Sequence, residues 1–215
     1  MHAVPGVEGN PAGIKLTAGT MPKPKRIDRE RCFGAIVDVQ EFFLKPLGKR
    51  ERPDLVANTA HFARLMSHYN IPIVATLERP VDVKGPIPQE IVRHLGKAKI
   101  FEKDYFDLTR ERPIAAYLSR LRKKQAIVAG CETDVCILQS CLGLLERGYD
   151  VFAVDELLFS SSRNTSAAIA RLEAAGVVLV TYKTLYYELI EAVQSATERV
   201  GRFAPPPLDL PDTAL

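Results

Sequence analysis

Six short apolar runs, separated by stretches of helical periodicity, constrain this chain more than any other feature. They fall at 33–39, 71–77, 99–101, 126–130, 151–154 and 177–181. Each is brief and almost wholly apolar, as strands covered on both faces must be. Between them, 54–69 places Leu55, Phe62, Leu65, Met66 and Tyr69 near one helical face, and 114–121, 136–146, 163–175 and 184–200 follow the same logic. A shorter helix is expected over 89–95. Gly148 and Gly176 come just after two of these segments, where a left-handed cap belongs. Strands that alternate with helices pair in parallel, because a parallel partner is reached only through a crossover. The predicted fold is therefore α/β in three layers: a doubly wound, six-stranded, mostly parallel sheet with helices on both faces. In such a sheet ligands sit beyond the carboxyl ends of the strands, where the strand order reverses.

A length of 215 residues suits one domain. Residues 1–31 mix Gly, Pro and basic side chains without a period and read as an N-terminal arm, residues 32–203 as the folded domain, and residues 204–215 as a C-terminal tail. A formal charge of +3 is too small to call for nucleic acid or a membrane surface, and the basic runs at 23–26 and 120–124 read as solvated faces. No apolar run approaches the ~18 residues of a membrane span, and the first thirty residues lack the apolar core of an export signal. A cytoplasmic location is expected, with Cys32, Cys131, Cys136 and Cys141 kept reduced. The last three lack the C-x-x-C spacing of a zinc site, so no structural zinc is expected.

Three strand ends carry reactive groups. The first run ends in Val37-Asp38-Val39-Gln40, the third enters Glu102-Lys103-Asp104, and the fourth enters Gly130-Cys131-Glu132-Thr133-Asp134-Val135-Cys136. Each has an ordinary explanation. An Asp after a strand caps a turn or helix, a Lys there is usually solvated, and a Cys in an apolar helix usually packs. Their joint placement at one sheet edge points elsewhere. With Thr133 or Asp134 as N-cap, Cys136 falls in the first turn of a helix, where the unpaired amides and the dipole favour a thiolate. Lys103 adds a positive charge that favours the same form. Asp38 could take the thiol proton and return it to a leaving amine. The amides of the 130–136 turn could receive an oxyanion.

At these residues the sequence resembles the isochorismatase-like cysteine hydrolases, a family that includes nicotinamidases and N-carbamoyl amidases. The most specific part is IVAGCETDVCILQSCLGLLERGYDVFAVDE at 127–156, supported by AIVDVQ at 35–40, IPIVATLE at 71–78 and KIFEKDYF at 99–106. The resemblance implies a catalytic triad of Asp38, Lys103 and Cys136. It implies a cis peptide between Cys131 and Glu132, with the amides of Glu132 and Cys136 forming the oxyanion hole. Gln40 is placed in the substrate pocket, and Tyr105 and Phe106 are expected either to wall that pocket or to pack in the core. Metal-dependent nicotinamidases carry an Asp-x-His-type site after the second strand, whereas this chain reads Leu77-Glu78-Arg79-Pro80-Val81-Asp82, so neither a catalytic metal nor another cofactor is expected. Asp107 stands where the family often has Ser, which bears on the substrate.

The expected function is hydrolysis of a small amide or ureide through a thiol acyl-enzyme, in a homo-oligomer that is a dimer or tetramer by resemblance. A catalytically weak family member serving as an interaction or scaffold protein is the alternative, suggested by the two tails and by the departures after Lys103. A Rossmann dehydrogenase ranks last, because no G-x-G-x-x-G follows the first strand. Cys131 and Cys141 are expected to be packing residues.

Overall fold

The computed structural model describes residues 24–49 and 51–192. Its strands are β1 (Cys32–Val37), β2 (Ile73–Glu78), β3 (Lys99–Lys103), β4 (Gln125–Cys131), β5 (Asp150–Phe159) and β6 (Val178–Val180). The helices are α1 (Glu41–Leu44), α2 (Glu51–His68), α3 (Val81–Lys84), α4 (Gln89–Val92), α5 (Arg112–Leu121), α6 (Leu138–Glu146), α7 (Ser166–Ala175) and α8 (Tyr182–Ile190). All five strand pairings are parallel, in the order β3-β2-β1-β4-β5-β6, so the doubly wound sheet expected from the apolar runs is what forms.

Alternate side chains of the central strands feed two cores, one on each face of the sheet. Ile36 and Ile127 join Phe62, Leu65 and Met66 of α2 and Leu185 of α8 on one face. Phe33, Val37 and Val128 join Ile114 of α5, Leu144 of α6 and Leu172 of α7 on the other. This two-sided burial is why the strands read as continuous apolar runs rather than as alternating ones. Helix α2 opens with Glu51 and Asp54 in its first turn and closes with His68 in its last, charges placed to suit the helix dipole. Helix α7 ends at Gly176, whose φ of 100° supplies the left-handed cap that its position after the helix suggested.

Two boundaries differ from the expectation. β5 continues through Asp155 and Glu156 to Phe159, with a register shift against β4, because Leu157 and Phe159 return to the core after the two exposed acids. The helix expected over 136–146 is split: one π-helical turn, Thr133–Ile137, precedes α6. Of the helix expected over 184–200, α8 accounts for the first part, and 193–200 lies outside the described residues.

The segment before β1 is strapped across the sheet edge opposite the strands' carboxyl ends. Gln125 accepts from the Asp28 amide (2.7 Å) and donates to the Arg26 carbonyl (2.8 Å). The Ile27 amide reaches Glu188 of α8 (2.8 Å), and Arg29 pairs with Glu191 at 3.6 Å. The last part of the expected arm is thus packed, with Ile27 buried in the core.

Candidate active site

The strand order reverses between β1 and β4, and the ends of those two strands meet there. Val37 lies in register with Gly130. Gly130 has φ of 126°, and a methyl group in place of its hydrogen would overlap the Val37 carbonyl, so only glycine lets the two chains approach this closely. Just past this contact β1 delivers Asp38 in the left-handed region (φ 52°), and β4 leads into the π turn that carries Cys136. A cis peptide joins Cys131 to Glu132, as the resemblance implied. The Asp38 carbonyl accepts from the Cys131 thiol at 2.8 Å and from the Gln40 amide at 2.8 Å, which ties the ends of β1 and β4 together.

Asp38, Lys103 and Cys136 are brought together, all of them buried. The Lys103 ammonium lies 2.7 Å from Asp38 Oδ2 and 3.5 Å from Cys136 Sγ. The other Asp38 oxygen accepts from the Thr76 hydroxyl at 2.8 Å. Burial works against the charge on Lys103, but Asp38, Cys136 and Glu78 around it outweigh that and raise its pKa. Burial also raises Asp38 above the ordinary carboxylate range, against the pull of Lys103 and Thr76, which makes it a stronger proton acceptor than a surface Asp.

The environment of the thiol is the reverse of the expected one. Neither Thr133 nor Asp134 caps the turn: both lie inside it, and the Asp134 carboxylate accepts from Ser160 and Ser162. Burial first, and then the charge of Asp38, push the Cys136 thiol up, while Lys103 opposes them. These surroundings favour the protonated thiol at Cys136, because a third negative charge beside two carboxylates is poorly solvated here.

The second of those carboxylates is Glu78, the last residue of β2, to which no role was given from sequence. Cys136 Sγ donates to its Oε2 at 3.0 Å, and Lys103 lies 3.5 Å from the same oxygen. Lys84 of α3 bonds its other oxygen. Burial alone would raise the Glu78 carboxyl, but its bonds to Cys136 and Lys84 hold it low. Gln40 fixes the backbone here, accepting from the Glu78 amide (2.7 Å) and donating to the Gly85 carbonyl (2.8 Å). The side chain expected in the pocket is thus a buried strut between β2 and the turn after α3. A carboxyl group one residue before Arg79-Pro80 was the available signal, but a charge at a strand end is usually solvated.

Tyr105 and Phe106, expected either in the pocket or in the core, are 48% and 53% exposed. With Asp107, Arg110 and Gln139 they line a separate surface hollow, where the Arg110 guanidinium stacks over the Tyr105 ring. The chain turns outward after Lys103 because Glu111 captures the amides of Asp104 and Tyr105 (2.6 and 3.2 Å), while the Phe106 carbonyl accepts from Ser140 at 3.1 Å. Cys131 and Cys141 are buried, and burial pushes the Cys141 thiol up to about 12.

One oxygen each of Asp38 and Glu78 and the Cys136 sulfur lie within 4.8 Å of one another, a spacing that a metal ion can span. The Lys103 ammonium already contacts all three groups, so a second cation would meet a fixed positive charge. A metal bound here would have to share the site with that ammonium.

The isochorismatase domain model matches residues 35–184. The chain belongs to the isochorismatase family of hydrolases. It is 30% identical over 161 residues to the secreted isochorismatase effector Isc1 of Phytophthora sojae, an alignment covering 72% of this chain and 74% of that one. The YcaC product of Escherichia coli, described as an octameric hydrolase of unknown specificity, superposes with a TM-score of 0.74 at 25% identity, over 79% of this chain and 85% of that one. YcaC from Pseudomonas aeruginosa, solved with covalent acrylamide, gives a TM-score of 0.73 at 26% identity, over 78% and 84% of the two chains. Within this family fold, no helix among the described residues is long and apolar enough to cross a membrane.

Proposed function

We propose that this chain hydrolyses a C–N bond of a small, non-peptide amide or ureide, with Cys136 as nucleophile and Asp38 and Lys103 completing the triad. The observation that carries this reading is the Cys136 sulfur held 3.5 Å from a buried ammonium that is itself paired with Asp38. Asp38 takes the thiol proton, and the sulfur attacks the carbonyl carbon while Lys103 balances the charge. The amides of Glu132 and Cys136 receive the oxyanion. Asp38 then returns the proton to the departing nitrogen, the C–N bond breaks, and a thioester remains. Water, giving a proton to Asp38, attacks that thioester. The C–S bond breaks, and the proton on Asp38 returns to sulfur. Covalent capture of acrylamide by the Pseudomonas relative supports a reactive group in this fold. The octameric Escherichia coli relative supports a homo-oligomer here.

A competing reading, an interaction protein with an idle site, draws on the 2% exposure of Cys136 and its raised pKa. Ammonia release from a panel of small amides and ureides separates the two. Wild type should turn over at least one compound and Cys136→Ala none. Equal turnover by both proteins sinks the cysteine mechanism. A partner retained equally by both, with no compound hydrolysed, establishes the interaction reading.

A further inference from the structure

We infer that Glu78 is a positioning residue for Cys136: its carboxylate, balanced by Lys84, holds the nucleophile as a resting thiol. This rests on the reading of Cys136 as the nucleophile and adds a group that the triad lacks.

The charged and titratable groups around the sulfur come from every neighbouring element. Asp38 follows β1, Glu78 ends β2, Lys103 ends β3, and Cys131 and Glu132 lie at the end of β4. Asp38 is engaged by Thr76 and Lys103 and also faces the sulfur, while Glu78 accepts from the thiol at 3.0 Å. Its two oxygens are divided: Oε2 takes the thiol, and Oε1 takes Lys84. Gln40 prevents the Glu78 backbone from drifting, since it bonds both the amide and the carbonyl of that residue.

Charge counting explains what the arrangement does. One carboxylate would balance Lys103 and leave room for a thiolate. Two carboxylates make the thiolate a third negative charge on a residue that is 2% exposed, so the proton stays on sulfur. Lys84 offsets part of this from the open side. Its side chain and that of Glu78 keep 17% and 11% of their surface in solvent, whereas Asp38 and Lys103 keep none. An arriving substrate therefore meets the Glu78–Lys84 pair before it meets the triad, and whatever draws that pair apart changes how tightly the thiol is held.

The two partners have opposite signs, so removing each moves the thiol in opposite directions. In Glu78→Gln a negative charge is lost, and the pH midpoint of Cys136 alkylation, read by peptide mass mapping, should fall by about one unit. At a pH below both midpoints the labelling rate then rises roughly tenfold. In Lys84→Met the positive charge is lost while the aliphatic stem remains, and the midpoint should rise by a smaller amount. Shifts in the same direction, or no shift in either variant, overturn the inference. Circular dichroism checks the fold, and if Glu78→Gln does not fold, an unchanged or lowered midpoint in Lys84→Met is by itself enough to overturn it. Labelling needs no substrate, so this test can fail while the Cys136→Ala turnover test succeeds, and the reverse.

Discussion

β1 and the end of β3 meet at the candidate active site, yet they are buried for opposite reasons. All six residues of β1 are buried, and an apolar strand between two helical layers needs no further explanation. β3 lies at the sheet edge, where Ile100 is 46% exposed and the one fully buried residue is a lysine. A lysine is almost never buried without partners, and Asp38, Glu78 and Cys136 are the partners here. β1 is held in by the hydrophobic effect, and the end of β3 by charge. A buried polar residue on an otherwise exposed strand therefore marks chemistry more sharply than any apolar pattern does.

Breaking the charge side of that contrast should have the largest effect. Lys103→Met fills the same space but leaves the buried Asp38 without its ammonium, while Glu78 keeps Lys84. It should abolish turnover and cost about 3–5 kcal/mol, read from the urea midpoint. A stable Lys103→Met protein would show that water, not Lys103, satisfies Asp38. The apolar side is tested by the pair Ile36→Ala and Ile100→Ala. The β1 change should cost about 2–5 kcal/mol through lost packing, and the β3 change about 0.5 kcal/mol or less. Equal losses would erase the distinction between the two strands. The smallest effect is expected from Ile100→Lys, whose unfolding should track wild type within about 0.5 kcal/mol. A larger loss, accompanied by a change in sedimentation, would place this edge strand in an interface between copies of the chain.

The same contrast explains how much was legible in the sequence. The strands and their parallel pairing followed from apolar runs, because two-sided burial writes itself directly into composition. Asp38, Lys103 and Cys136 were found through motif resemblance and strand-end position, and the sheet brings their atoms together. Glu78 carries no such signal, because a carboxylate at a strand end looks like a solvated charge. Only the convergence of β2, β3 and the π turn reveals that its oxygen meets the thiol. Gln40 was assigned to the pocket for its place in the motif, but its bonds to Glu78 and Gly85 are long-range pairings that no local pattern encodes. The exposure of Tyr105 and Phe106 is also set at a distance in sequence. Glu111, several residues downstream, decides which way that loop faces.

The strap formed by Gln125, Glu188 and Glu191 has a consequence for how the chain is threaded. It brings the segment entering β1 against the end of α8, within hydrogen-bonding distance at Ile27 and ion-pairing distance at Arg29. All of these contacts lie at the sheet edge opposite Cys136. The two ends of the described polypeptide are thus neighbours, which is the geometric condition for circular permutation. A short linker from Ala192 back to Lys25, with new ends opened at the exposed turn around Gly148, cuts none of the strands and leaves Asp38, Lys103 and Cys136 on the elements that carry them. The spatial arrangement that holds the thiol is separable from the order in which the chain is connected.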